Sequence, residues 1–137
     1  MRWHALPMVA VLATLWPALA MAECKIPPSN ASEAEIAELV TCMQAAGETE
    51  DAARNEMIVR LRDLYKLLDA AGTKRLDTSQ DAWLAGAEQA CPDQINDEGS
   101  IAIEASACRA ARYAQRSALL DQVIAGCRAG KCPLDKL

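Results

Sequence analysis

Apolar residues in this chain recur at three- and four-residue intervals, the spacing of one face of an α-helix. The pattern predicts four helices over about residues 32–47, 49–72, 73–90 and 101–125. No segment shows the two-residue alternation that is typical of a β-strand. We therefore predict an all-α fold, a small disulfide-stapled bundle of three to four antiparallel helices joined by short loops.

Residues suited to helix ends mark the first two predicted helices. Ser32 and Glu35 stand three residues apart, the spacing of a capping box. Thr49 is predicted to cap the second helix at its start. Gly47 and Gly72 are predicted to end the first and second helices.

The first 22 residues have the pattern of a cleavable signal peptide. Arg2 precedes a short apolar run, and small residues around Ala20 and Ala22 form the cleavage region. The run is shorter than the roughly 20 residues that span a bilayer. We expect a periplasmic or secreted product with no membrane span after cleavage, consisting of one domain over residues 23–137 with a cysteine-containing tail over 126–137.

The balance of charge is acidic. The chain has 14 Lys and Arg against 19 Asp and Glu, and loss of Arg2 with the signal peptide leaves 13 against 19, a net charge of −6. This balance argues against nucleic acid as a partner, because phosphates require a basic face. It suits a cationic partner.

Six cysteines in an exported chain predict a disulfide framework. Zinc is the alternative, but only one cysteine pair is closely spaced and signal cleavage removes the only histidine. Six cysteines allow 15 pairings, and the sequence does not choose among them. We predict neighbour pairing: Cys24 with Cys42, Cys91 with Cys108, and Cys127 with Cys132.

Catalytic chemistry finds little support in the sequence. Without histidine, Ser-His and Cys-His arrangements and histidine metal sites are excluded in the mature chain. A carboxylate pair could run glycoside hydrolysis, but none of the acidic residues stands in an apolar setting that would raise its pKa. We predict a protein that is not an enzyme and that needs no cofactor or metal.

Two acidic groups are candidates for binding a partner. Asp77, Asp81 and Glu88 fall on one stripe of the third predicted helix, where the alternative is a simply solvated face. A polar loop between Cys91 and Cys108 supplies a second group, for which the alternative is a plain connector. The candidate loop residues are Asp93, Asp97, Glu98, Gly99 and Ser100.

A basic stripe on the fourth predicted helix consists of Arg109, Arg112 and Arg116. We expect these side chains to form surface ion pairs, with Glu88 and Asp121 as partners. Recognition of an anionic wall polymer is the alternative.

The region from the third to the fourth predicted helix carries a family resemblance. Its residues are Gln80-Asp81-Ala82-Trp83-Leu84, Cys91, Glu98-Gly99-Ser100-Ile101, Cys108, Arg116 and Leu119-Leu120. This combination resembles the LprI-type lysozyme-inhibitor domain, a family of small exported bacterial proteins, over most of residues 24–122. Glu98 replaces a glycine common in that family, and the tail with Cys127 and Cys132 is not part of the pattern.

The resemblance implies an inhibitor of lysozyme, a cationic glycan hydrolase that cuts the cell wall. Trp83 is expected to pack in the core, and Gln80 to make a hydrogen bond that fixes the contact between the third and fourth predicted helices. Two other functions remain open. One is an envelope structural or assembly module that binds wall fragments or a partner protein, and the other is a small peptidoglycan hydrolase.

Overall fold

The computed structural model describes residues 24, 26–92 and 103–137. Within these ranges the chain forms three α-helices, α1 (Glu33–Tyr65), α2 (Ala70–Ala90) and α3 (Ile103–Arg128), and a 3₁₀ turn (Leu134–Lys136), without strands. The all-α prediction is therefore confirmed for this part of the chain. The predicted signal peptide and the predicted binding-loop residues from Asp93 to Ser100 lie outside the described residues.

The capping box at the start of α1 is confirmed. The Ser32 backbone N–H donates to Glu35 Oε2 at 2.7 Å, and the Glu35 N–H donates back to Ser32 Oγ at 3.4 Å. These bonds satisfy groups that have no partner inside the helix. The helix thus begins at the residue that the sequence indicates.

The predicted break near Gly47 is wrong, because α1 runs unbroken through it. Thr49 does not cap a helix; its hydroxyl donates to the Ala45 carbonyl oxygen at 2.9 Å, inside the same helix. A glycine costs a helix only about 1 kcal/mol relative to alanine, and the residues around it are good helix formers without proline. The first two predicted helices are one helix.

Gly72 does not end a helix either, since it lies in the first turn of α2. Asp69 caps this helix: its side chain accepts the Gly72 N–H at 2.7 Å. A Cβ at position 72 would lie 3.3 Å from the Leu68 side chain. The glycine therefore permits a tight connection between α1 and α2.

Side-chain pairs give the directions of the helices. Glu50 pairs with Arg109 and Arg60 with Asp121, so residue numbers rise together along α1 and α3. Between α2 and α1, Asp77 bonds to Tyr65, and Gln80, which comes later in α2, bonds to Met57, which comes earlier in α1. The order of these pairs indicates that α2 runs opposite to α1 and that α1 and α3 run in the same direction.

The apolar core lies between the C-terminal halves of α1 and α3, with Leu76 of α2 against it. Its buried members are Met57, Leu64, Leu76, Leu120, Val123 and Ile124. Each fully buried side chain of this kind contributes about 1.5–3 kcal/mol. By contrast, Ile36 and Val40 near the start of α1 remain 49% and 46% exposed, so this half of α1 lies outside the core.

All six cysteines form the neighbouring bonds Cys24–Cys42, Cys91–Cys108 and Cys127–Cys132. The first holds the proline-containing lead-in against α1, and the second joins the end of α2 to α3. The third closes the tail after α3. Among the described residues, no helix is long and apolar enough to cross a membrane.

Replacing Gly47 tests the continuity of α1. Gly47→Ala is expected to stabilise the protein by about 0.5–1 kcal/mol, because alanine favours the helix and the added Cβ would have no atom within 4 Å. Equilibrium urea unfolding with the disulfides intact measures the change. Gly130→Ala is the control and should destabilise, since Gly130 has a φ of +83°. Destabilisation by Gly47→Ala would instead indicate a helix end at this residue.

Candidate functional site

The predicted acidic stripe lies on α2, where Asp77, Asp81 and Glu88 are all exposed. The Tyr65 hydroxyl donates to Asp77 Oδ1 at 2.5 Å and so connects the stripe to α1. This hydrogen bond, followed by burial and by the charges of Asp77 and Asp81, raises the pKa of Tyr65 to about 12. Asp77 therefore has a structural contact, whereas Asp81 and Glu88 face solvent.

The predicted loop is described only at its flanks. Its candidate residues, from Asp93 to Ser100, lie outside the described residues, so their role stays a prediction. Cys91 before the loop is 4% exposed and is bonded to Cys108, with 5.7 Å between the two Cα atoms. The two flanks of this segment are thus held together covalently.

Exposed carboxylates also line the N-terminal half of α1, a group that the sequence analysis did not select. Because α1 and α2 run in opposite directions, these residues and Glu88 lie toward the same end of the molecule. We call this group the acidic end: Glu33, Glu35, Glu38, Glu48, Asp51 and Glu88. Residues 26–53 and 76–92 contain no Lys or Arg, which is the sequence signal that marks the acidic end.

Glu50 is buried where the acidic end meets the core, with 6% of its surface exposed. Arg109 binds its carboxylate through two nitrogens, at 2.8 and 3.1 Å, and Arg54 adds a third bond at 3.0 Å. Burial acts to raise the pKa of Glu50, but hydrogen bonds from Arg109, Ser106 and Arg54 outweigh it, and the pKa is lowered. Glu50 therefore remains charged and links α1 to α3.

A second buried charge lies at the centre of the bundle. The Arg116 guanidinium, 2% exposed, donates to Gln80 Oε1 at 3.2 Å, to Ser79 Oγ at 3.0 Å and to the Leu137 oxygen at 2.9 Å. It also lies over the Trp83 ring, 5.5 Å from the centroid. Burial lowers the pKa of Arg116. This one side chain of α3 contacts both α2 and the tail.

The predicted surface partners of the basic stripe are wrong. Arg109 pairs with Glu50 rather than Glu88, and Asp121 pairs with Arg60. Arg116 is buried and is no surface residue. Two of the three arginines act inside the bundle because α3 turns them toward α1 and α2, which helix periodicity alone did not indicate.

Two aromatic rings lie between Arg54 and Arg116. Tyr113 and Trp83 have ring centroids 5.8 Å apart, and Arg54 lies 5.6 Å from the Tyr113 centroid. The contacts run from Arg54 through both rings to Arg116. In the described part of the chain, no cluster of His, Cys, Asp or Glu could hold a metal ion.

The sequence model of the family described as "Lysozyme inhibitor LprI" matches residues 28–120. The chain belongs to the LprI lysozyme inhibitor family. No curated protein and no solved structure matches it. The LprI match covers α1, α2 and most of α3, and it ends before the tail that Cys127 and Cys132 close.

Three of the residues that carried the resemblance to LprI proteins, Gln80, Trp83 and Arg116, contact one another. Gln80 and Trp83 lie one turn apart on α2, and both contact the Arg116 guanidinium of α3. The Gln80 bond joins the two helices that it was expected to join. In this LprI domain these three residues therefore join α2 to α3, and the acidic end lies elsewhere on the surface.

Neutralising Glu50 tests the first buried charge. Glu50→Gln is expected to destabilise the protein by about 1.5–3 kcal/mol, because Arg109 and Arg54 lose their counter-charge but stay partly exposed to solvent. Urea unfolding at pH 7 measures this, with the exposed Glu48→Gln as control. Equal free energies of unfolding for the two variants would contradict the contribution that we assign to the Glu50–Arg109 pair.

The same carboxylate predicts a pH dependence. The folded protein lowers the pKa of Glu50 below its ordinary value of 4.5, so the unfolded chain binds the proton more tightly. The resulting stabilisation is present above pH 4.5 and is lost as the pH falls through the folded pKa. Urea unfolding from pH 7 to pH 3 should show a smaller loss of stability in Glu50→Gln than in the unmodified protein, and parallel curves would contradict this assignment.

Arg116→Lys tests the second buried charge. A lysine cannot form three bonds in the guanidinium plane and stack on Trp83, so we expect a loss of about 1.5–3 kcal/mol. Arg112→Lys on the same helix is the matched control and should change the free energy of unfolding by less than about 0.5 kcal/mol. Similar effects of both substitutions would show that the geometry around Arg116 is not specific for arginine.

Proposed function

We propose that this protein is exported to the periplasm or secreted, where it binds a lysozyme-like peptidoglycan hydrolase and inhibits it. The observation that carries the proposal is the LprI match over residues 28–120. Three disulfide bonds support an oxidising location, because such bonds are rare in cytosolic proteins. The protein acts by binding and performs no catalysis of its own.

Charge supports a cationic hydrolase as the target. The acidic end presents six exposed carboxylates on segments without Lys or Arg. Complementary charge mainly raises the rate of association, often by one to three orders of magnitude at low salt. The acidic end, with Asp81 beside it, would therefore orient the inhibitor before close contact forms.

The segment between Cys91 and Cys108 is the second part of the proposed binding surface. It carries Asp93, Asp97 and Glu98 together with Gly99 and Ser100. The buried Cys91 and its bond to Cys108 restrain both flanks. Restraint before binding reduces the conformational entropy that a loop loses on entering a cleft.

Inhibition is tested by lysozyme turbidity assays on cell walls. The protein is purified from an oxidising periplasm and added in equimolar and excess amounts to several lysozyme types. We expect slower lysis of at least one type at equimolar protein. Unchanged lysis of every type at excess protein would end the proposal, and sedimentation with walls in its place would favour an envelope module.

The role of the acidic end is tested by two variants of equal net charge. Glu48→Lys with Glu88→Lys reverses two exposed carboxylates of the acidic end, whereas Asp63→Lys with Asp135→Lys reverses the partly buried Asp63 and the exposed Asp135 at the opposite end. Stopped-flow association with the inhibited lysozyme at low salt should be slowed about tenfold by the first variant and much less by the second. Equal rates for the two variants would place the binding surface elsewhere.

A further inference from the structure

The end of the bundle opposite the acidic end carries the reverse charge. The helix α1 ends there, α2 begins there, and α3 ends beside Asp63, whose pKa is lowered first by Lys66 and also by Arg128 and Arg62. We call the seven basic residues of this region the basic end: Arg62, Lys66, Lys74, Arg75, Arg128, Lys131 and Lys136. Four acidic residues lie in the same region: Asp63, Asp69, Asp77 and Asp135.

The basic side chains are available to a partner. All seven residues of the basic end are exposed. Within the described ranges only Lys66 forms an ion pair, with Asp63 at 2.9 Å. Positive charge at this end is therefore largely uncompensated.

Apolar surface accompanies these charges. Leu67 lies in the turn between α1 and α2 and is 42% exposed. A groove of about 820 Å³ between α2 and the tail has Trp83, Leu134 and Leu137 in its walls, together with Lys74 and Arg75 of the basic end. Basic residues around an exposed apolar tip are typical of proteins that bind the surface of anionic membranes.

We propose that the basic end binds the surface of an anionic phospholipid bilayer. Lys and Arg side chains contact the headgroup phosphates, and Leu67 enters the interface between headgroups and acyl chains. A soluble phosphate polymer would match the charges but would make no use of Leu67. The apolar tip therefore favours the bilayer.

The acidic net charge of the protein does not oppose this binding. With 33 residues at about 1.5 Å each, α1 is about 50 Å long. Asp51, the member of the acidic end on α1 nearest to Arg62, is separated from it by about 16 Å along the axis, more than the screening length of about 8–10 Å in physiological salt. A membrane at the basic end therefore experiences mainly the local positive charge.

Orientation follows from the separation of charge. A protein bound through its basic end holds the acidic end away from the bilayer, where an arriving cationic hydrolase would meet it. This consequence rests on the proposed function, whereas binding to the bilayer does not.

Vesicle sedimentation tests the proposal without any lysozyme. The protein purified after export is mixed with vesicles of phosphatidylcholine alone or of equal parts phosphatidylcholine and phosphatidylglycerol. We expect partition into the anionic vesicles to exceed that into the neutral ones at least tenfold, and to fall with added salt. Equal partition into both vesicle types would overturn the proposal.

Two variants with the same net charge identify the surface. Lys74→Gln with Lys131→Gln removes two charges from the basic end, and Gln44→Glu with Gln89→Glu adds two negative charges at exposed sites far from it. The first variant should bind anionic vesicles about tenfold more weakly, and the second should bind like the unmodified protein. Circular dichroism checks that both are folded, and equal weakening of the two would overturn the assignment to the basic end.

Leu67→Ser separates a bilayer from a soluble polymer. Removing the apolar tip should weaken vesicle binding several-fold and leave binding to soluble polyphosphate unchanged. If polyphosphate binds as tightly as vesicles and the substitution changes neither, the partner is an anionic polymer and the proposal fails. Lysozyme inhibition is measured in solution without vesicles, so each proposal can fail independently of the other.

Discussion

The buried guanidinium of Arg116 is the contact on which the position of α2 and of the tail depends. Removing such a charge from water is costly unless hydrogen bonds replace those of the solvent. Gln80, Ser79 and the Leu137 oxygen supply these bonds, and Trp83 covers the plane of the group. The geometry requires α2 and the tail to lie where their polar atoms meet one guanidinium, which restricts the bundle more narrowly than apolar contact does.

Glu50 also forms buried charged contacts between helices, and these contacts affect the charge of the acidic end. Its carboxylate pairs with Arg109 and Arg54, and Arg54 also pairs with Asp51 of the acidic end at 3.3 Å. The exposed carboxylates beyond it, such as Glu38 and Glu48, are left without neighbouring cations in the described part of α1. The internal pair thereby preserves the negative potential outside, so scaffold and surface charge are physically coupled.

Local spacing in the sequence was sufficient for the Ser32 capping box, which needs only residues within one helical turn. The disulfides are different: neighbour pairing was one of 15 arrangements that the sequence allows, and it is the one that the structure has. The break at Gly47 was wrong because a glycine is a weak signal and the helix on either side of it is strong. The Asp69 cap was missed because Gly72 was interpreted as the end of the preceding helix. The aspartate three residues earlier is the residue that marks the start of α2.

Features that need the directions of the helices were beyond the sequence. Arg116 and Gln80 are separated by 36 residues, and on α3 alone Arg116 is one of three arginines with similar spacing. The acidic and basic ends likewise become visible only when α1, α2 and α3 are placed side by side, although runs without Lys or Arg were present in the sequence.

The separation of scaffold from surface bears on what membership of the LprI family implies. Three of the residues that carried the resemblance contact one another and hold the helices in place: Gln80, Trp83 and Arg116. Exposed carboxylates such as Glu48 and Glu88 make no contact on which this arrangement depends, and substitutions at such positions usually change stability by less than about 0.5 kcal/mol. Charge at either end could therefore be altered with little effect on the fold. Under the proposed function, the choice of target would depend on these surface residues, which the bundle positions.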